Sequence, residues 1–386
     1  MEQNELIYLD NAATTFPKPR CVSDEVLRSI VKYGGNAGRG SHAIAMQAAE
    51  KIFECRSVAA ELFSAAGPEN VFFTMNTTYG LNYVIKGLLR RGDHVIISDM
   101  EHNAVWRPIW KLARQGYIEY DVFRSMTGDP RRNPLRICAN IARLIKPNTK
   151  LVVCTHSSNL CSVKMPIEEI GRFCHRHGIY FAVDGAQSAG HENISMKDMC
   201  IDALCVPGHK GLYGIQGGGM VILGEDCSLK TLAEGGNGVN SLEGDMPLFS
   251  PERYEAGTLP LPAIAGLCEG MKWVRRLGAE NIGAHERALY RYTKEVLENK
   301  EGIKLHGGEY EGGTMLFTVA GKSSEEVARA LGDQGVCVRG GYHCSALGHK
   351  TLGTIGGGAV RISFGAFNRI KDIDLFEGAI DRVIKG

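Results

Sequence analysis

The sequence predicts an α/β chain, with a large, mostly parallel, doubly wound sheet followed by a smaller α+β C-terminal domain. Three observations predict it. The 386 residues exceed what one hydrophobic core usually holds, roughly 250 to 300 residues. Between positions 74 and 223, short β-branched or aromatic runs alternate with stretches of helical period, which is the pattern of βαβ units. After position 261, two long helical stretches lead into a strand-rich piece where that alternation stops. The expected large domain is 16–260, and the expected smaller one is 261–386 joined by 1–15.

The elements follow in order. Leu6-Ile7-Tyr8-Leu9 is a short strand, placed either near a cleft or in the smaller domain. Val71-Phe72-Phe73-Thr74 is a strand, and Leu81, Val84, Ile85, Leu88 and Leu89 share one helix face. His94 to Ser98 is a strand and Asn103 to Ala113 a helix. Lys150 to Cys154 is a strand, then Ile167 to His177 is a helix that ends at Gly178. Strands are expected at 179–183, 202–206 and 219–223. Helices at 261–276 and 281–299 follow, then strands at 313–319, 336–338 and 359–364, with helices at 323–333 and 371–383.

The apolar fraction of 44% and charged fraction of 23% are those of a globular protein. A net charge of +1 gives no electrostatic case for nucleic acid or a membrane surface. No uninterrupted apolar stretch reaches membrane-spanning length. The N-terminus lacks the basic and apolar regions of a signal peptide, so a cytoplasmic location is expected. Twelve cysteines occur without a Cys-x-x-Cys pair and read mostly as buried thiols. No metal site is expected. Cys174-His175-Arg176-His177 has metal-ligating residue types, but positions i and i+2 do not share a helix face.

Ligands of open α/β sheets bind outside the carboxyl ends of the strands. Asn76-Thr77-Thr78 follows the first strand of the large sheet, where hydroxyls and free N–H groups at a helix start suit an anion or an N-cap. His102 follows the second, as a ring to stack on a flat cofactor or as a cap. Asn159 follows the third, to bind a phenolic oxygen or a carboxylate, or to shape a turn. Asp184 and Gln187 follow the fourth. Pro207-Gly208-His209-Lys210-Gly211 follows the fifth. A lysine amine forms a reversible Schiff base with an aldehyde, and a strand-end carboxylate suits a pyridinium nitrogen. Lys210 with Asp184 therefore suggests pyridoxal 5'-phosphate.

A second cluster lies late in the chain, at Arg339-Gly340-Gly341-Tyr342-His343-Cys344, entering a Gly-rich stretch expected to be flexible. His343 and Arg339 are placed to raise the thiolate fraction of Cys344. Arg361 is a charge inside an apolar strand. It needs a partner if buried, either a bidentate substrate carboxylate or a structural Asp or Glu.

These residues resemble the class V aminotransferase family, and within it the cysteine desulfurase and selenocysteine lyase group. The resemblance rests on Gly208-His209-Lys210, Asp184-x-x-Gln187, Glu101-His102-Asn103, Ser158-Asn159 and His343-Cys344. It extends from Tyr8-Leu9-Asp10-Asn11-Ala12-Ala13 through Asn36-x-x-Arg39-Gly40-x-His42 and Tyr254-Glu255-Ala256-Gly257-Thr258 to Arg361-Ile362-Ser363. It implies the fold-type I architecture, a pyridoxal-phosphate cofactor and a homodimer with shared active sites. It implies that Lys210 is the Schiff-base lysine, Asp184 meets the pyridine nitrogen, Gln187 meets the phenolic oxygen and His102 stacks on the ring. Thr77, Thr78 and His209 would hold the phosphate, with Thr258 reaching the phosphate of the partner subunit. Asn159, Arg361 and Arg39 would bind the substrate carboxylate, and Cys344 would take sulfur from L-cysteine. The compact Arg-x-Gly-x-His-Cys loop resembles that of SUF-type enzymes, and Pro207 stands where the family carries Ser or Thr. The implied function is conversion of L-cysteine to L-alanine, with persulfide formed on Cys344 and a sulfur-acceptor protein as partner. Selenocysteine lyase acting on L-selenocysteine, a class V aminotransferase or epimerase, and a non-catalytic sulfur-relay scaffold are the alternatives.

Overall fold

The computed structural model describes residues 6–38, 40–308 and 312–385. In chain order, the first elements are β1 (Ile7–Tyr8), α1 (Arg20–Val31), α2 (Ala43–Phe63), β2 (Val71–Thr74), α3 (Thr77–Leu88), β3 (His94–Ser98) and α4 (Asn103–Arg114). Next come β4 (Glu119–Phe123), α5 (Pro134–Ala142), β5 (Thr149–Thr155), α6 (Ile167–Arg176), β6 (Tyr180–Asp184), β7 (Ala203–Pro207) and β8 (Gly219–Leu223). Then follow α7 (Leu261–Leu277), α8 (Ala279–Glu298), β9 (Ile303–His306), β10 (Thr314–Val319), α9 (Ser324–Gly332), β11 (Val336–Cys337), β12 (Arg339–Gly341), α10 (Ala346–Thr351), β13 (Ala359–Ser363) and α11 (Ile370–Lys385).

Seven strands form one sheet in the order β2-β8-β7-β6-β5-β3-β4. Pairs from β4 through β7 are parallel, and β8 runs antiparallel to both β7 and β2. β2 therefore points the same way as β3, β5, β6 and β7, and the carboxyl ends of all five lie along one edge. Alternate residues face opposite layers. Ile96, Val152, Phe181 and Leu204 pack with α2, α5, α6 and α7, while Val95, Ile97, Val153 and Cys205 pack with α3 and α4. Burial on both faces explains why these strands read as unbroken apolar runs. β4 escapes that signal: it is a half-exposed edge strand with polar Glu119 and Asp121, which is how edges resist pairing with other chains. The sequence reading also places no helix at α1, α2 or α5.

The second layered unit holds an antiparallel sheet in the order β12-β13-β10-β9. Leu289, Phe317, Val327, Ile362 and Phe376 fill its core. A capping box at Ser323 and Glu326 starts α9. β1 pairs in parallel with β11, so the N-terminal strand joins this smaller unit. α7 starts at the expected 260/261 boundary, yet its Leu261, Ile264, Leu267 and Met271 share the core of the large sheet. The Gly-rich stretch after Cys344 differs from the flexible reading, because Ala346–Thr351 forms α10. The buried His349 Nδ1 pairs with Thr354 Oγ1 at 2.7 Å and closes that turn.

Between the α2 layer and the loop before α7, Arg56 holds Glu255 through Nη1–Oε1 at 2.9 Å and Nη2–Oε2 at 2.7 Å. Phe73 N also donates to Glu255 Oε1 at 2.6 Å. Both side chains are buried. The pair fixes the segment that continues to Gly257-Thr258, and removing either partner would strand a buried charge at a cost of about 3–5 kcal/mol.

Candidate active site

The polar groups that follow the five co-directional strands converge on one cavity of about 430 Å³. Its lining includes Thr77 and Thr78 after β2, His102 after β3, Asn159 after β5, Asp184 and Gln187 after β6, and His209 and Lys210 after β7. Arg361 and Cys344 enter it from the smaller unit. Topology thus brings together ten of the residues singled out in the sequence.

Each is set by local structure. Asn76 Oδ1 accepts from Tyr79 N at 3.1 Å and caps α3, which leaves Thr77 Oγ1 buried without a partner. His102 is both cap and cavity wall: its Nδ1 accepts from Ala104 N at 3.0 Å. Burial first, then the charges of Lys210, Arg361 and Arg107, lower its pKa to about 4, so the ring stays neutral. Asp184 Oδ1 accepts from Ala186 N at 2.9 Å, and burial raises its pKa against the opposing charge of Lys210. Gln187 Nε2 donates to the Ala12 carbonyl at 2.9 Å. Glu101, fully buried, ties β3 to β5 by accepting from Thr155 N at 2.8 Å.

Lys210 sits on a turn held by the N-terminal segment. Thr14 Oγ1, Thr15 Oγ1 and Lys18 Nζ donate to the His209 carbonyl at 3.0, 3.2 and 2.7 Å. Burial, reinforced by Arg361, lowers the lysine pKa to about 8, while Asp184 and Asp10 pull the other way. A substantial neutral fraction at pH 7–8 follows, which an amine needs to act as nucleophile or base.

Sequence reasoning left the partner of Arg361 open, and the structure supplies Asp10. Arg361 Nη2 donates to Asp10 Oδ1 at 2.9 Å and Nη1 to the Asn159 carbonyl at 3.1 Å. Arg339 Nε and Nη2 donate to Asp10 Oδ2 at 3.0 and 2.8 Å. Arg361 Nε remains a buried donor without a partner, so the guanidinium keeps capacity for one more acceptor. Asp10 went unassigned in the reading of single residues; the buried charge of Arg361 was the available signal.

Cys344 is exposed and lies in a left-handed pair, with φ of 49° at His343 and 56° at Cys344. Two such non-glycine residues in succession are strained and need outside support. Asn159 Nδ2 donates to the His343 carbonyl at 2.8 Å, and Asn103 N to the Cys344 carbonyl at 2.8 Å. The expected electrostatic help for the thiol changes in one respect. Burial and Arg361 lower the His343 pKa to about 3, so His343 is neutral. Its ring instead spans the Arg339 carbonyl at 3.1 Å and His349 Nε2 at 3.3 Å. Arg339, the other expected helper, is close enough for its charge to interact with Cys344.

Three residues stand apart. Thr258 lines a separate cavity of about 610 Å³ beside Ile52 and Phe53 of α2. Arg39 lies outside the described residues. Cys161 belongs to the large core rather than the cavity wall, and burial pushes its thiol up to about 11.

Behind the Lys210 turn, His191 Nδ1 lies 3.2 Å from Glu286 Oε2, and Nε2 lies 2.5 Å from the Gln187 carbonyl. Burial lowers the imidazole pKa, but Glu286 and that carbonyl outweigh it and raise it to about 9. A folded-state pKa above the unfolded value of about 6.5 contributes stability that is complete below pH 6.5. That contribution is lost as pH rises through about 9. We expect thermal melts to show a loss on the order of 2 kcal/mol across this range. Glu286→Gln should start less stable and lose most of that slope. An unchanged slope in the variant would contradict the assignment.

The Aminotransferase class-V family model matches residues 7–376. The chain is 33% identical, over 99% of its length, to a probable cysteine desulfurase of Mycolicibacterium paratuberculosis, and spans 56% of that protein. It is 30% identical, over 98% of its length, to a probable cysteine desulfurase of Methanothermobacter thermautotrophicus, and spans 94% of that one. The solved structure of a cysteine desulfurase from Thermococcus onnurineus NA1 matches with a TM-score of 0.89 at 31% identity, covering 99% of this chain and 96% of that one. A mostly parallel seven-stranded sheet with a small antiparallel one, a strand-end cavity around Lys210 and a match that runs nearly end to end agree, and the chain belongs to the class-V aminotransferase family.

Proposed function

We propose that the chain is a pyridoxal-phosphate-dependent cysteine desulfurase, which converts L-cysteine to L-alanine and leaves sulfur on Cys344 as a persulfide. The observation that carries this reading is one cavity lined by buried Lys210, buried Asp184 and the exposed thiol of Cys344. The residues present fit the cofactor. Thr77 Oγ1 and His209 Nδ1 are buried polar atoms without partners, set at and near the N-terminus of α3 where an anion is favoured. They would hold the phosphate together with Thr78, in place of a hydroxyl at Pro207. Asp184, a buried carboxyl with one backbone donor, would take the ring N–H. Neutral His102 would stack on the ring, and Gln187 would reach the phenolic oxygen on leaving the Ala12 carbonyl.

Once bound, the cofactor supplies an electron sink for the pair left at the substrate α-carbon. The chain does the rest. Arg361, with its open Nε, and Asn159 orient the substrate carboxylate, with Arg39 assigned there by family resemblance. Lys210 takes the α-proton as general base, which its lowered pKa permits. The Cys344 thiolate attacks the substrate Sγ, the C–S bond breaks, and protonation of the remaining three-carbon unit yields alanine. Thr258 would reach the phosphate of a second copy. Its cavity borders Phe53, and α1 and α2 expose Leu27, Ile30, Val31 and Met46 nearby, an apolar face suited to a homodimer. All twelve cysteines are free, consistent with the reducing cytoplasm, and no described helix is long and apolar enough to cross a membrane.

The test is a product assay on the cofactor-loaded chain, given L-cysteine or L-selenocysteine separately. Alanine with equimolar sulfide, in the presence of a thiol reductant, is the expected result from L-cysteine. A keto acid in place of alanine would identify an aminotransferase. Turnover of L-selenocysteine alone would identify a selenocysteine lyase.

A further inference from the structure

Cys344 faces two spaces. Besides the cavity it shares with Lys210, it lines a groove of about 620 Å³ between α3 and α4. Lys86 of α3 and Arg107 and Lys111 of α4 line this groove, and no Asp or Glu does. All three cations are exposed, and none is ion-paired among the described residues. On a chain whose net charge is only +1, this is a local concentration of positive charge at the mouth of one thiol. Leu112, Pro108 and Ala104 add apolar wall to the same groove. A second recess, lined by Arg124, Arg131, Arg136, Arg143 and Lys350 but also by Asp99 and Asp129, lies against α10 just beyond the Cys344 loop.

We propose that the α3–α4 groove docks an acidic peptide segment of the sulfur-accepting protein, and that the acceptor thiol reaches Cys344 through it rather than through the cofactor cavity. The inference rests on the desulfurase reading and names the partner of that site. A concave groove with three cations and an apolar wall suits a protein loop. A nucleic acid needs a longer basic track to neutralise several phosphates. Complementary charge raises the rate of encounter and does so less as salt screens it. The transfer step needs no further reactant. The acceptor thiolate attacks the terminal sulfur of Cys344–S–SH, the S–S bond breaks, the acceptor becomes the persulfide with its proton, and Cys344 departs as thiolate.

The experiment uses cofactor-loaded protein carrying the Cys344 persulfide after one exposure to L-cysteine. The probes are a synthetic peptide with one cysteine flanked by glutamates and its glutamine counterpart. Sulfur transfer is followed by mass spectrometry at low and high salt. The acidic peptide should accept sulfur about tenfold faster than the neutral one at low salt, an advantage that salt erodes. In K86E/K111E the ratio of the two rates should fall to about one or below. Equal rates in the wild type, or a ratio unchanged in K86E/K111E, would overturn the groove assignment while the desulfurase reading stands. Lys86 and Lys111 shielded from acetylation in the free protein would mean that a second copy covers the groove, and would overturn it too. Failure of the wild type to form any persulfide on Cys344 would sink the desulfurase reading, and this inference with it.

Discussion

Lys210→Ala is expected to abolish alanine formation from L-cysteine, by about 10⁴-fold or more. Two functions fall together, attachment of the aldehyde cofactor and removal of the α-proton. The side chain stands where burial and Arg361 hold its pKa near 8, so an exposed lysine elsewhere does not replace it. The fold should survive, because the turn is held through the His209 carbonyl by Thr14, Thr15 and Lys18 rather than by the Lys210 side chain. Two readouts separate these outcomes. The variant should keep its melting behaviour without cofactor, and it should lose the visible band of lysine-bound cofactor that borohydride reduces. A variant that retained that band would place the linkage at another lysine and overturn the assignment.

Cys344→Ser is expected to lower L-cysteine turnover by at least about 10²-fold while cofactor binding at Lys210 persists. Serine keeps the size of the side chain and the left-handed backbone that His343 and Cys344 adopt. The supports from Asn159 and Asn103 reach carbonyl oxygens, not the thiol, so the loop should hold its shape. A hydroxyl is a far weaker nucleophile toward sulfur than a thiolate. The neutral His343 offers no strong base to activate it. L-selenocysteine should be less affected, because its carbon–selenium bond breaks with less help. Full turnover of L-cysteine by the variant would mean that Cys344 is a bystander.

Much of the large sheet was legible because burial on both faces leaves unbroken apolar runs, and because the polar groups that follow those runs stand at successive strand ends. The same logic found eight residues of the cavity, and the charged strand residue Arg361 and the loop thiol Cys344 supplied two more. What it missed depends on long-range packing. Asp10 meets Arg361 and Arg339 across separations of 351 and 329 residues, and no local pattern announces such a pair. His191 and Glu286 meet for the same reason. β4 was missed because an edge strand carries charges that mask its period. α10 was missed because glycines on both sides of it look like a flexible loop. The charge state of His343 was misjudged because proximity in sequence to Cys344 says nothing about burial, which decides its pKa. Thr258 fits the family pattern yet lines a different cavity within the chain, a placement that makes sense if it serves a second copy.

We propose that Lys210 activates the substrate and that Cys344 takes its sulfur. This is tested most directly by one exposure of cofactor-loaded protein to sulfur-labelled L-cysteine, without reductant. Alanine is then counted, and the label is located by peptide mass spectrometry. The expected result is one alanine for each labelled persulfide, all of it on the peptide carrying Cys344. Alanine released with no label on Cys344, or with the label on another cysteine such as Cys161, would contradict it.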